Sequence, residues 1–343
     1  MSGFRNLFIK ACSPIGKLFP ASLLLNITKQ QFIAPFYHII SDENVPHVQH
    51  LYPVKGIKKF IQDLDFLLKL YEPIDYPAFQ ELVLHKKNVA KRSFLLTFDD
   101  GLKEFHEVIA PILIQKGIPA VCFLNSAFID NKALFFRHKA SLLIDYLSNK
   151  PQWIKDKKVT DWVSKNSVNT KGLFKFLLSV SYQNKACLDE LANLLEYDFP
   201  EYLSVHKPYL TSTQILSLKN KGFHFGAHSI DHPHYYSIGL QEQIRQTKES
   251  IESICTRFSL DYKTFSFPFT DYKVPATFFD ALYREHIADI TFGCAGQKKE
   301  LFPNHYQRIS FEVDTLSAQE IHHSELIGFI FKSLIGKNTI KRK

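Results

Sequence analysis

Apolar residues along the chain fall into two alternating textures. Short unbroken apolar runs, enriched in Phe, Ile and Val, read as buried strands at 31–40, 94–98, 120–124, 223–227, 264–269, 289–294 and 305–311. Between them, apolar positions recur every three or four residues. Ile57, Phe60, Ile61, Leu64, Leu67 and Leu68 form one such stripe, and Leu102, Phe105, Val108, Ile109, Ile112 and Leu113 form another. A further stripe runs through Leu240, Ile244, Ile251, Ile254 and Phe258, and one more helix is predicted near 275–287. Helix boundaries are legible as well. Thr211-Ser212-Thr213-Gln214, with Leu210 and Ile215 as a hydrophobic staple, and Ser317 with Glu320 are capping boxes. Gly117 and Gly222 stand where helices stop. Strand and helix alternating from 31 to 316 predict an α/β fold with a largely parallel sheet, closed or open.

Three segments depart from this alternation. Residues 130–208 are rich in Lys and Leu, with helical periodicity at 133–148, 171–182 and 187–197, and read as a helical insertion between two βα units. Residues 1–30 carry Phe4, Leu7, Phe8, Leu18, Leu23, Leu24 and Leu25 with Arg5, Lys10 and Lys17 between them. Pro14 and Pro20 interrupt any long helix there, which leaves a packed arm or an interfacial anchor. Residues 317–343 read as a final helix and a basic tail. Leu326, Ile327, Phe329, Ile330, Phe331 and Leu334 precede or surround Lys332, Lys337, Lys341, Arg342 and Lys343. Either the helix packs on the barrel and the tail is solvated, or the two touch an anionic membrane surface.

Composition narrows the class. With 45% hydrophobic and 22% charged residues the chain is globular, and its 343 residues suffice for a large core. A net charge of +8 favours an anionic partner or surface. No aromatic-plus-glycine RNA signature or long basic helix accompanies it, so nucleic acid is not expected. Five cysteines at 12, 122, 187, 255 and 294 form no disulfide framework, and Cys122, Cys255 and Cys294 sit within apolar patterns as buried thiols. Neither a signal peptide nor a transmembrane stretch is evident, and the expected location is the cytoplasm, with possible peripheral contact at the inner membrane face.

The chemistry gathers where strands end. The run at 94–98 stops abruptly at Asp99-Asp100-Gly101. Two adjacent carboxylates repel each other, and a bound cation gives both a reason to be ionised. The same tripeptide is also ordinary turn and N-cap chemistry. The run at 223–227 ends in His228-Ser229-Ile230-Asp231-His232. His224 stands at the same spacing from His228, so the spacing alone carries little. Two ligand-type clusters closing two strands in the same sense carry more, because sites in α/β folds lie at the carboxyl ends of the strands.

In this order the stretches resemble the polysaccharide deacetylases of carbohydrate esterase family 4, the chitooligosaccharide-deacetylase homology domain. Thr97-Phe98-Asp99-Asp100-Gly101 matches the family's first motif, His228-Ser229-Ile230-Asp231-His232 its second, and Phe265-Ser266-Phe267-Pro268-Phe269 resembles its third. The resemblance covers about 31–130 and 205–316. It implies a distorted (β/α) barrel of about seven strands with a helical insertion, and a divalent metal, commonly zinc, held by Asp100, His228 and His232. It also implies Asp99 as general base and a substrate and oxyanion side at Pro268 and Phe269. Two histidines and a carboxylate leave positions open for water, as a catalytic metal site requires.

The chain departs from the family twice. Ser266 stands where many members carry an Arg that orients the base, and Arg308, after a late strand, is a candidate substitute. The late Leu-x-His motif that supplies a general acid has no match. His38, ending the first strand, is either that acid or a hydrogen-bonded core histidine. His322 and His323 read as surface residues of the last helix, and Arg137-His138 as a pair bordering the groove. The resemblance implies removal of an N-acetyl group from an amino sugar in a polysaccharide, an oligosaccharide or a glycan precursor, a lipid-linked one included. The alternatives are deformylation of a lipid-linked amino sugar and carbohydrate binding without turnover.

Overall fold

The computed structural model of the chain describes residues 9–12, 14, 19–85, 91–166, 172–313 and 316–342. Eight short strands form the central sheet: β1 Pro35–Tyr37, β2 Leu96–Phe98, β3 Ala120–Leu124, β4 His224–Ala227, β5 Thr264–Ser266, β6 Ile290–Gly293, β7 His305–Gln307 and β8 Ile309–Ser310. They lie in the order β7-β6-β5-β4-β3-β2-β1-β8, and every pairing is parallel. The sheet is a nearly closed barrel flanked by helices, the distorted (β/α) barrel expected from the sequence. The extra strand arises because the run at 305–311 divides at Arg308. Its first half pairs with β6 and its second with β1, so one stretch of chain supplies both edges.

Unbroken apolar runs suit strands covered on both faces, and every residue of β3 is buried. The helix Ile57–Leu70 turns Phe60, Leu64 and Leu67 inward, and Leu240–Phe258 turns Ile251, Ile254 and Phe258 inward. Phenylalanine fills much of the core. Phe98 packs on Phe105 with ring centroids 5.0 Å apart, and Phe105 on Phe223 at 5.5 Å. Each such ring contributes about 1.5–3 kcal/mol by leaving water. The helix expected after Gly101 opens instead as a π-turn, Phe105–Ile109, before Ala110–Lys116. Pro111, which has no N–H to donate, stands where the turn changes. Gly117 ends that helix at φ 65, a left-handed stop.

The helix Tyr76–Leu84 was not anticipated, although Asp75 accepts the Ala78 N–H at 2.8 Å and Pro77 opens its first turn. Within 130–208 the helices are Phe136–Asn149, Lys157–Lys165, Leu173–Ser179, Ala186–Leu194 and Phe199–His206. The second and last of these were also unanticipated, and Asp156 and Asp198 cap them. This helical layer shares a core with Ile39, Val45 and Val48 from the loop after β1, with Leu102 after Gly101, and with Phe128 after β3. It therefore packs over the carboxyl ends of the strands.

The helix Ala318–Leu334 begins with the expected capping box at Ser317 and Glu320. His322 and His323, expected at the surface, are instead 0% and 2% exposed. The helix is enclosed from Ile321 through Phe329, with the helices Ile57–Leu70 and Ala21–Thr28 packed against it. His322 takes a place in that contact, its Nε2 lying 2.6 Å from the Tyr71 hydroxyl. Of the N-terminal arm, Leu24 and Leu25 are buried, while Phe19, Leu23 and Ile27 remain exposed. Phe4, Arg5, Leu7, Phe8, Lys17, Leu18 and Lys343 lie outside the described residues. None of the five cysteines forms a disulfide among the described residues. Cys12, Cys122 and Cys294 are buried, and Cys187 and Cys255 are half-buried. Among the described residues no helix is long and apolar enough to cross a membrane.

Candidate active site

Parallel pairing brings the polar strand ends to one face. Phe98 stands opposite Tyr37 and Cys122, Leu124 opposite Ala227, and Ala227 opposite Phe265. Asp99, His38, His228 and Ser266 are thus set at nearly the same level, and Arg308 joins them at the seam between β7 and β8.

His232 Nε2 lies 3.2 Å from Asp100 Oδ1, and His228 Nε2 lies 3.6 Å from the same oxygen. All three residues are buried, and their donor atoms fall within 4.8 Å of one another. Asp100 Oδ1 and His228 Nε2 are enclosed without a hydrogen-bond partner. Buried polar atoms are normally satisfied, so this trio fits a divalent ion. The other ring nitrogen of His228 meets the Ser266 carbonyl at 2.8 Å. A carbonyl there requires Nδ1–H, which leaves the Nε2 lone pair for a ligand. Burial pushes the His228 imidazole down to about 4, so it is neutral at physiological pH.

The loops that present these groups are held in unusual backbone conformations. Asp100, Ser229, His232 and Phe269 all have φ between 55° and 72°. Non-glycine residues seldom occupy that region, and they do so where surrounding structure over-determines them. Here Ser229 Oγ accepts the His232 N–H at 3.0 Å, and the backbone of Ser126 and Ala127 donates to Ser229 and Ile230. Gly101 has φ +60, and a Cβ there would meet Leu124 Cδ2 at 2.7 Å. Asp231, inside the second motif, faces away from the trio. It accepts hydrogen bonds from Tyr182, Lys185 and Gln246 and ties the motif to the helical layer.

Asp99 is held by a guanidinium. Arg308 Nη1 and Nη2 reach its two oxygens at 2.8 and 2.7 Å, a fork-to-fork pair. Arg308 is 0% and Asp99 3% exposed. Ser266 Oγ accepts from Arg308 at 2.5 Å and offers its own proton to Asp99 at 3.4 Å. Phe36 lies against the guanidinium, with its ring centroid 4.5 Å away. Burial would raise the Asp99 carboxyl, but the Arg308 guanidinium outweighs it and holds the group below its ordinary value. Asp99 is therefore ionised, oriented, and 3.9 Å from His228 Nε2.

A family profile described as polysaccharide deacetylase matches residues 86–281, more than half of the chain. The chain belongs to the polysaccharide deacetylase family. Its structure is similar to three solved structures, two of them named as deacetylases, at low sequence identity. The Streptococcus pyogenes deacetylase PplD, solved in complex with acetate, is 13% identical with a TM-score of 0.55, over 86% of this chain and 97% of that one. IcaB from Ammonifex degensii is 11% identical with a TM-score of 0.53, over 87% and 97%. A de-N-acetylase from Aggregatibacter actinomycetemcomitans is 12% identical with a TM-score of 0.54, over 85% and 99%. At such identities the likeness is one of fold. Compared with curated protein sequences, the chain matches none.

Around this deacetylase-family centre the remaining candidates take distinct places. His38 is a quarter exposed at its side chain, and its Nδ1 lies 2.6 Å from Glu312 Oε2. Glu312 Oε1 also accepts the backbone N–H groups of His38 and Ile39, at 2.8 and 3.1 Å. Glu312 was missed in the sequence, where it is a single carboxylate after Ile309-Ser310-Phe311 with no motif around it. Phe269 sets its ring against His232, at 4.4 Å, and stacks on His234 at 3.7 Å. Phe135, from the helical layer, closes on His232 from another side at 4.4 Å. His138 is buried behind Phe135, with Nδ1 2.8 Å from the Tyr209 hydroxyl, and burial lowers it to about 3. The neighbouring Arg137 turns its guanidinium to the Leu178 carbonyl within the helical layer.

The His38–Glu312 pair carries a pH signature. Burial alone would lower His38, but Glu312, seconded by Asp100 and Asp99, raises it to about 9. The unfolded value is roughly 6.5. A folded pKa above the unfolded one gives stability that is complete below pH 6.5 and lost as pH rises through 9. The advantage of wild type over Glu312→Gln in urea unfolding is expected to be on the order of 2–3 kcal/mol near pH 6 and to shrink by pH 9.5. An advantage that stays constant over that window contradicts the charged pair.

Proposed function

We propose that the protein is a metal-dependent hydrolase that removes the N-acetyl group from an amino sugar in a polysaccharide, an oligosaccharide or a glycan precursor. The observation that carries this is a carboxylate, Asp99, fixed by a buried guanidinium beside a trio of buried metal-type ligands, of which Asp100 Oδ1 and His228 Nε2 lack a hydrogen-bond partner. Family membership supports the reaction class. Asp100, His228 and His232 would hold the divalent ion, zinc by the chemistry of two imidazoles and one carboxylate. When bound there, the ion supplies Lewis-acid chemistry that acidifies water and polarises the amide carbonyl.

The chain's own groups divide the proton work. Asp99, ionised and held by Arg308, takes the proton of the attacking water. Arg308 sets the direction of its lone pairs and keeps the resting carboxylate ionised. Pro268 and Phe269 line the substrate side, where the Phe269 ring and Phe135 exclude water around His232. His38, kept protonated by Glu312 and facing the same carboxylates, gives its proton to the departing amine. One group poised low and another poised high is the division of labour that general base and general acid require.

The test is product identity. Zinc-loaded protein incubated with N-acetylated chitooligosaccharides is expected to release acetate and expose one free amine per acetate. Formate released from N-formylated sugars, with no acetate from acetylated ones, moves the reaction to deformylation. Absence of any acyl release across a panel of acylated amino sugars overturns the proposal.

A further inference from the structure

Asp271, Glu300 and His305 form a second group with metal-like spacing, their donor atoms within 4.8 Å of one another. A guanidinium already sits among them. Arg342 Nη2 lies 2.5 Å from Asp271 Oδ2 and 2.7 Å from Glu300 Oε2. Its Nε reaches Glu300 Oε1 at 3.2 Å, and its Nη1 reaches the Asp271 carbonyl at 3.1 Å. The Phe279 ring lies 4.2 Å from the guanidinium carbon. The side chains of Arg342, Asp271 and Glu300 are all nearly fully enclosed. The backbone that delivers Arg342 is fixed too. Lys299 N–H donates to the Asn338 carbonyl at 2.8 Å, and Ile340 N–H donates to the Lys299 carbonyl at 3.0 Å. Arg342, which the sequence groups with the basic tail as a candidate contact for an anionic surface, instead pairs inside the protein.

What it holds is close to the chemistry. Asp271 follows Phe269 by two residues, in the loop that leaves β5. Its Oδ2 also accepts from Gln307 at 2.7 Å and lies 3.1 Å from His305 Nε2, while Oδ1 accepts the Cys294 N–H at 3.4 Å. The Cys294 thiol then donates to the Phe269 carbonyl at 2.8 Å. Gly293 leaves room for this arrangement, since a Cβ there would come within 2.7 Å of Asp271 Cγ. Phe269 has φ 55 while its ring leans on His232. A bulky residue in that conformation persists only where its surroundings hold it. The carboxylate of Asp271 is the anchor two residues away, and without a cation it would be a buried charge with incomplete compensation.

We propose that Arg342 is a positioning residue for the reaction: by pairing with Asp271 and Glu300 it fixes the 268–272 loop, so that Phe269 keeps its place against His232. The kinetic part of this inference rests on the proposed deacetylase activity; the structural part does not. In the full chain, Arg342→Ala is compared with wild type by hydrogen exchange of the 269–272 amides, by zinc content, and by kcat and KM on N-acetylated chitooligosaccharides. The amides are expected to exchange about tenfold faster or more, as a local opening made easier requires. Zinc content stays at the wild-type level, and kcat falls by about 10–100-fold, the scale of a misplacement of around 1 Å. Millimolar guanidinium restores part of that kcat, which a purely global loss of stability would not allow. Arg342→Lys keeps the charge without the fork and shows the same changes at smaller amplitude, which supplies the readout if the Ala variant does not fold. Exchange at 269–272 within twofold of wild type in the variants overturns the inference, whatever the activity. If wild type releases no acyl group but the loop still loosens, the positioning contact stands and the deacetylase proposal falls.

Discussion

Asp99→Asn is expected to lower turnover by about 10²–10⁴-fold, the contribution of a positioned general base. The same substitution is expected to cost stability, because Asp99 is the carboxylate that neutralises a fully buried Arg308. Removing one partner of a buried ion pair costs about 3–5 kcal/mol, since the other charge is left enclosed. The other groups that touch the guanidinium, Ser266 Oγ, Thr97 Oγ1 and the Gly293 carbonyl, are uncharged. Turnover must therefore be expressed per folded molecule, with urea unfolding measured on the same preparation. The double variant Asp99→Asn/Arg308→Met separates the two effects. Replacing both members of a buried pair by uncharged groups of similar shape is often close to neutral, so stability recovers while turnover does not. Wild-type turnover in the folded Asp99→Asn protein would place the base elsewhere.

His228→Ala is expected to leave the fold in place and remove the metal. Its Nε2 is one of the enclosed atoms without a partner, and its Nδ1 is fixed by the Ser266 carbonyl. Loss of an outer partner of a ligand typically weakens metal affinity 10–100-fold, and loss of the ligand itself is expected to exceed about 100-fold. Zinc measured after dialysis should drop from one per chain toward none, with acyl release lost in parallel. Ser266 offers its hydroxyl to Asp99 and its carbonyl to His228, yet Ser266→Ala keeps the carbonyl and should retain zinc. Stoichiometric zinc in His228→Ala would remove this residue from the ligand set.

Much of the fold was readable because the barrel is written in local terms. Runs such as 120–124 are apolar at every position, as strands covered on both faces must be, and the capping boxes at Thr211 and Ser317 mark helix starts that the structure repeats. The two clusters of ligand-type residues were readable because each lies directly after its strand. What escaped depended on distant partners. Glu312 becomes significant only through His38, and nothing near it in the chain announces that pairing. His322 and His323 look polar beside their neighbours, but packing on both flanks of the helix Ala318–Leu334 encloses them. The unanticipated helices Lys157–Lys165 and Phe199–His206 are short, and their Asp caps were clearer signals than their periodicity. Arg137 and His138 are adjacent in sequence but diverge on their helix, one reaching Leu178 and the other Tyr209.

The seam at 305–311 also dictates when the centre can exist. One segment closes the barrel by pairing with β6 and β1, and the same segment delivers Arg308 to Asp99 and leads directly to Glu312. The His38–Glu312 contact spans 274 positions of sequence. Closing a loop of that length is entropically expensive and slows the search for native contacts. During synthesis the first two motifs emerge well before the seam does. A chain interrupted before residue 305 carries Asp100, His228 and His232 but lacks the cation that keeps Asp99 charged and the carboxylate that keeps His38 protonated. The proposed metal ligands and the partners of the proposed base and acid are thereby separated in order of synthesis, the second set arriving only with the segment that closes the barrel.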